Sequence, residues 1–451
     1  MPKKTTSEQN RLSSRLTRYA KVSTAVGGLA AKVAGEKYLG LKLDRSKHAG
    51  DLRSALGGLK GPLMKVAQML ATIPDAVPKE YAEELSQLQS DAPPMGWAFV
   101  KRRMAAELGP NWQSRFQSFE QTAASAASLG QVHKAVTLDG EQVACKLQYP
   151  DMASAVEADL GQLKIILSLF EKMDSAIRTK QIYAEITDRL REELDYEREA
   201  QALKMFATML EGQEGVRVPK VHDELSTKRL LTMQWVEGQK LLTFKGAPLK
   251  TRNLLAQRLF KAWYVPFYHY GVIHGDPHPG NYTATPDHTL NLLDFGCVRV
   301  FDPALVEGVI ALYRALQADD EAAIVAAYES WGFKGLKKEV IEILTIWARF
   351  VYGPVLDDRV RLVDETESGL YGRATARKVH FALRDVGGVE VPRQFVFMDR
   401  AAIGLGSMFL HLRAELNWYQ LFNELIDGFD RKQLARRQSK LLSGVNHEFS
   451  H

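Results

Sequence analysis

One stretch restricts the fold more than any other. HGDPHPGN at 274–281, followed by NLLDFG at 291–296, interrupts an otherwise helical second half with closely spaced glycine, proline and polar residues. Proline removes a backbone donor and glycine weakens helix and strand alike, so the stretch reads as an irregular loop held by its neighbours. Asp276 and Asn281 are five residues apart, and Asp294 lies 18 beyond Asp276. A loop and a neighbouring hairpin can bring these three together. Phosphoryl transfer needs oxygen ligands for Mg²⁺ and a group that aligns the attacking oxygen. The spacing nominates Asn281 and Asp294 as metal ligands, and Asp276 as the carboxylate that orients or deprotonates a hydroxyl or water. Two other readings use the same residues. In one, Asp276 and His274 only bond the backbone of a polar loop; in the other, His274, Asp276, His278 and Asp294 hold zinc or iron in a metallohydrolase.

The chain upstream supplies what a phosphate site would need. Asp139-Gly140 joins two short β-prone runs, a hairpin signal. Lys146 lies in the second run, VACKLQYP, where alternation sets it opposite Cys145 and Leu147 and a strand can hold its charge against triphosphate oxygens. Such a lysine needs a restraining partner. Glu193, in the helical run EELDYEREA, is the candidate; in the plainer reading Glu192, Glu193, Glu197 and Glu199 solvate one helix face. In TAASAASLGQ at 122–131, the small residues Ala126, Ala127 and Ser128 would let the chain pass close over phosphates. With Gly130 as its one glycine, that loop should be stiff. Met233 to Val236, in RLLTMQWVEG, can line an adenine slot or equally form a buried strand. KVAQ at 65–68 sets Lys65 and Gln68 one helical turn apart, facing a cleft or solvent.

Helical patterns are expected at Trp97–Leu108, 152–174 and 181–209, with strands in VRVPKVHDEL and RLLTMQWVEG. A small strand-rich lobe followed by a helical one implies a cleft between them. The 451 residues, 45% hydrophobic and 25% charged, exclude a fibrous or wholly disordered chain. The formal charge of +5 carries no nucleic-acid signature, but residues 1–60 hold a net +9 against −4 for the remainder. That basic head can meet an anionic membrane or solvate a helix. Cys145 and Cys297 form no metal-spaced pair, so zinc ribbons and disulfide scaffolds are excluded. Val22 to Ala34 is a poor secretory core, and no apolar run reaches the roughly 18 residues of a membrane span. The expected location is cytoplasmic, with or without peripheral membrane contact.

Six ordered pieces, KVAQ, SAASLGQVH, VACK, EELD, HGDPHPGN and LLDFG, resemble the UbiB family, the AarF-domain-containing or ABC-one atypical kinases, over roughly residues 50 to 440. The resemblance implies an α+β, protein-kinase-like bilobal fold. Its parts would be a basic head at 1–50, a helical extension carrying KVAQ at 51–110, a β-containing N-lobe at 111–238 and a helical C-lobe at 239–451. It implies that Lys65 and Gln68 lie over the active cleft and that Lys146 is the family's invariant lysine. Glu193 would be its helix glutamate, with Asp195 completing an ExD pair. Asp276 and Asn281 would belong to its catalytic loop, and Asp294 would be its metal-binding aspartate. It also implies Mg²⁺-dependent ATP or ADP binding and a modest ATPase serving quinone or other isoprenoid-lipid metabolism, with biosynthetic proteins of that pathway as partners.

The sequence departs from the family at Ala67, where the extension motif has glycine, and at Ser125, the first position of its alanine-rich loop. Against ordinary protein kinases, Gly275 replaces the arginine of HRD, His278 stands where lysine is usual, and no APE follows DFG. Two rival functions remain: an aminoglycoside- or choline-kinase-like phosphotransferase of small molecules, and a nucleotide-responsive lipid-binding scaffold without productive turnover.

Overall fold

The computed structural model describes residues 95–127, 129–173, 179–365, 373–386, 392–445 and 449. The expectations for the head, for Lys65 and Gln68, and for Ser128 lie outside them. In chain order the helices are α1 (Trp97–Leu108), α2 (Met152–Met173), α3 (Thr179–Glu192), α4 (Tyr196–Met209), α5 (Leu249–Tyr270), α6 (Pro303–Ala318), α7 (Glu321–Ser330), α8 (Lys338–Leu356), α9 (Arg373–Asp385), α10 (Arg393–Leu412), α11 (Trp418–Ile426) and α12 (Arg431–Leu442). The strands that matter below are β1 (Phe116–Phe119), β2 (Ser125–Ala127), β3 (Gly130–Thr137), β4 (Gln142–Gln148), β5 (Val216–Arg217), β6 (Leu230–Gln234), β7 (Gln239–Lys240), β8 (Val272–His274), β9 (Tyr282–Ala284), β10 (Leu290–Leu292) and β11 (Val298–Val300). The expected α+β class is what forms, with strands concentrated early and helices late.

Chain contacts divide the protein into two compact units: one of residues 1–100, 123–132 and 148–194, the other of 101–122, 133–147 and 195–451. In the first unit, α2 and α3 pack through Val156, Leu160, Leu163, Ile186 and Leu190. Burying five such side chains contributes on the order of 10 kcal/mol before chain entropy is charged against it. There β2 pairs antiparallel with the start of β3, Ala126 opposite Gln131 and Ala127 opposite Gly130. The Gln131 amide clasps residue 95, accepting from the Met95 N–H at 2.7 Å and donating to its carbonyl at 3.1 Å.

In the second unit the strands run in the order β1, β3, β4, β6. The β3–β4 hairpin turns at Gly140, whose φ of 83° suits a residue without a Cβ, as the Asp-Gly signal implied. The segment 216–225 is less strand-like than expected. Val216–Arg217 pairs in parallel with β10, Val221 makes an isolated antiparallel bridge to Met233 of β6, and Asp223–Leu225 turns into a short 3₁₀ helix. Pro219 cannot donate to a ladder, which cuts the strand short.

His133 on β3 is fully buried, its Nδ1 2.8 Å from the Glu120 carbonyl and its ring stacked on Phe119. Burial holds its pKa below the usual 6.5, and the Glu120 carbonyl opposes that without winning. The unfolded chain therefore takes up a proton on acidification before the folded chain does. Stability is full above about pH 6.5 and declines as pH falls from there toward the folded pKa, by at most ~1.4 kcal/mol per pH unit. Melts between about pH 7.5 and 5.5 should show this slope in the wild type and a shallower one in His133→Gln; equal slopes would contradict the assignment.

Candidate functional site

Lys146 sits on β4 opposite Leu231 of β6, with both faces of the strand covered. Its ammonium is buried and cannot stay charged without close anions. Glu199 provides them, with Oε1 and Oε2 at 2.7 and 2.9 Å from Nζ, and Asp294 Oδ2 lies at 3.5 Å. The Tyr196 ring is 5.1 Å from the same nitrogen. Burial alone would lower the lysine's pKa, but Asp294, Glu199 and Tyr196 together outweigh it and hold it well above its usual value. Lys146 is therefore a fixed cation.

The expected partner, Glu193, is not the one that forms the pair. The helix expected over 181–209 breaks at Asp195, which takes an extended conformation (φ −110°, ψ 94°) and accepts from the N–H groups of Glu197 and Arg198. Asp195 is thus an N-cap, and its carboxylate also lies 3.7 Å from Lys228. The break leaves Glu193 just past the end of α3 in the first unit and places Glu199 one turn inside α4. Glu199 also accepts the backbone N–H of Phe295. Seven residues on, the same face of α4 sets Phe206 against Phe295, ring centroids 5.0 Å apart. One helix therefore restrains both Lys146 and the DFG segment.

Two small strand pairs assemble the rest. Tyr282 of β9 faces Leu292 of β10, and the Leu293 N–H donates to the Asn281 carbonyl at 3.0 Å, so Asn281 and Asp294 emerge side by side at the open end of one hairpin. His274 of β8 faces Val298 of β11, which carries the chain directly into Asp276. Asn281 Nδ2 donates to the Asp276 carbonyl at 3.1 Å and to its Oδ2 at 3.2 Å. That leaves Asn281 Oδ1 as the atom able to coordinate. Asp294 Oδ1 accepts the Gly296 N–H at 3.0 Å, and its side chain remains 41% exposed, open to a ligand. His274 is buried, its Nε2 bonded to the Asp294 carbonyl, so it orients the aspartate's backbone. Among the described residues no three His, Cys, Asp or Glu side chains are placed to hold a metal, which removes support from the metallohydrolase reading.

Met233 is buried on β6 opposite Ala144, and Val236, half-buried, follows the strand. Both belong to the unit that holds Lys146, Asp195, Asp276, Asn281 and Asp294, whereas Ala126 and Ala127 belong to the other. Sequence reasoning missed Glu199 and Tyr196 as the groups around Lys146, whereas a backbone bond from His274 was one of its readings. The signal for the first was the aspartate followed by two acidic residues in a helical first turn, which marks a helix start.

A family model described as ABC1 atypical kinase-like domain matches residues 87–328. A Saccharomyces cerevisiae protein named Atypical kinase COQ8, mitochondrial, is 31% identical over 260 residues, 57% of this chain and 51% of its own. The Arabidopsis thaliana chloroplastic protein ACTIVITY OF BC1 COMPLEX KINASE 7 is 34% identical over 56% of this chain and 37% of its own. The chain thus spans about half or less of the length of these curated relatives. The Mycobacterium tuberculosis Rv3197–erythromycin complex is similar in structure, with a TM-score of 0.60 and 28% identity over 85% of this chain and 96% of that one.

Proposed function

Since the chain belongs to the ABC1 atypical kinase-like family, which is the UbiB family, we propose that it is a Mg-ATP-dependent kinase or ATPase supporting quinone or other isoprenoid-lipid biosynthesis. The observation that carries the catalytic part is the buried Lys146 ammonium between Glu199 and Asp294. A fixed cation beside an exposed carboxylate suits a polyphosphate whose charge is shared between lysine and metal. The donor set fits Mg²⁺, which prefers oxygen ligands, because Asn281 Oδ1 and the partly exposed Asp294 carboxylate are both oxygen donors. When bound, the ion would neutralise phosphate oxygens. Lys146, restrained by Glu199, would position those phosphates. Asp276, steadied by Asn281, would accept the proton of a hydroxyl or water aligned for attack.

The lipid part rests on the UbiB resemblance. No helix among the described residues is long and apolar enough to cross a membrane. The test is ATP consumption with Mg²⁺, anionic liposomes and quinone precursors, comparing wild type with Asp294→Asn and Asp276→Asn. Lipid-stimulated turnover should fall by about 100-fold or more in both variants, with nucleotide binding retained in Asp276→Asn. A full rate in Asp294→Asn would defeat the metal assignment, and one in Asp276→Asn would defeat the base.

A further inference from the structure

Glu199 holds Lys146 from the first turn of α4, and the residue beside it ties that turn to the far side of the site. Arg198 is buried, and its Nη2 donates to the Val298 carbonyl of β11 at 3.4 Å, an oxygen that also accepts from Arg299 Nη1 at 3.1 Å. Val298 faces His274 of β8, the strand that leads into Asp276. Arg198 therefore fastens the helix that carries Glu199 to the strand pair that carries the catalytic loop.

The face of that guanidinium is covered from far along the chain. Phe449, which follows α12, is 7% exposed, and its ring centroid lies 4.5 Å from Arg198 Cζ. The negative face of an aromatic ring attracts a cation, and more strongly where water is excluded. An aliphatic side chain would give similar apolar cover without that attraction, so the buried charge would favour a position nearer water. Movement of Arg198 carries Glu199 with it, because the two are consecutive in one helical turn.

We propose that Phe449 is a positioning residue for the Lys146–Glu199 pair, acting through Arg198. Its ring holds the guanidinium against β11 and so keeps α4 where Glu199 meets Lys146. The consequence for turnover rests on the kinase or ATPase reading, whereas the pair itself does not.

Lysine chemistry on the full chain without nucleotide supplies the test. Acylation needs a neutral amine; burial favours one, but Asp294, Glu199 and Tyr196 outweigh it and hold the Lys146 pKa well above its usual value. Limiting N-hydroxysuccinimidyl acetate, read by peptide mass spectrometry, should therefore modify Lys146 about tenfold faster in Phe449→Leu than in wild type, with Phe449→Tyr close to wild type. Cys145, buried beside Lys146 on β4, should stay protected from iodoacetamide in all three, which separates a shifted helix from an unfolded chain. ATP turnover should fall by about tenfold in Phe449→Leu and be kept in Phe449→Tyr. Equal Lys146 labelling in wild type and Phe449→Leu, Phe449→Tyr as reactive as Phe449→Leu, exposure of Cys145 together with Lys146, or full turnover in Phe449→Leu would each overturn the proposal. Faster labelling in Phe449→Leu with no turnover in any form, wild type included, would support the positioning role and defeat the kinase or ATPase reading.

Discussion

Replacing Glu199 by glutamine will reduce ATP turnover by about 100-fold, and the cause will be charge rather than shape. The carboxylate is 3% exposed and holds the Lys146 ammonium through two bonds of 2.7 and 2.9 Å. Breaking a buried pair by removing one partner costs about 3 to 5 kcal/mol, because the remaining charge stays desolvated. Among the described residues Lys146 has one other carboxylate in reach, Asp294 at 3.5 Å. In Glu199→Gln the ammonium will close on Asp294 and compete with the proposed Mg²⁺ for the same oxygen. A loss of about 3 kcal/mol at that point corresponds to the stated factor. The measurement that isolates the pair is a double-mutant cycle on thermal stability. Lys146→Met and Glu199→Gln should be non-additive by more than about 1 kcal/mol, whereas Lys146→Met and Glu193→Gln should add within about 0.5 kcal/mol. The reverse pattern would restore Glu193 as the partner.

The choice between those glutamates shows where the sequence stops being readable. EELDYEREA offers several carboxylates, all of which suit an exposed helix face, and pairing Lys146 with the right one depends on where the helix starts. A helix run without a break through 181–209 favours no single one of them. With Asp195 as N-cap the rotation is fixed, and Glu199 turns inward while Asp195 is spent on backbone N–H groups. The cap is a local hydrogen-bond choice that hydrophobic periodicity does not encode.

Other parts were legible because the physics is local. The Asp139-Gly140 turn, the helix Trp97–Leu108 and the strand position of Lys146 follow from backbone preference and alternation. The adjacency of Asp276, Asn281 and Asp294 was also legible, since a short hairpin between the last two leaves few other arrangements. The strand at 216–225 was not. Its apolar residues alternate well enough, but Val216 and Arg217 pair with β10, more than 70 residues further along the chain, while Val221 bridges Met233 of β6, so the segment is divided between two sheets.

Restoring the arginine that ordinary kinases carry before the catalytic aspartate, Gly275→Arg, will abolish turnover and unfold a large fraction of the protein. The β8–β11 ladder continues one residue past His274, where the Gly275 N–H donates to the Cys297 carbonyl at 2.5 Å. A Cβ on residue 275 would stand 2.7 Å from that carbonyl oxygen and 3.0 Å from the Cys297 sulfur. Backbone cannot give way there cheaply, because Cys297 is buried and follows the DFG segment that positions Asp294. Overpacking of this kind costs about 1 to 3 kcal/mol for a methyl group. An arginine adds a buried charge with no carboxylate set aside for it, and the total reaches the whole stability of a marginal domain. Gly275→Ala should therefore lower the melting temperature measurably while leaving folded protein with weakened turnover, and Gly275→Arg should yield little folded protein. A folded, active Gly275→Arg enzyme would mean that β8 and β11 separate freely, and the close pairing that places Asp276 beside Asn281 would lose its structural basis.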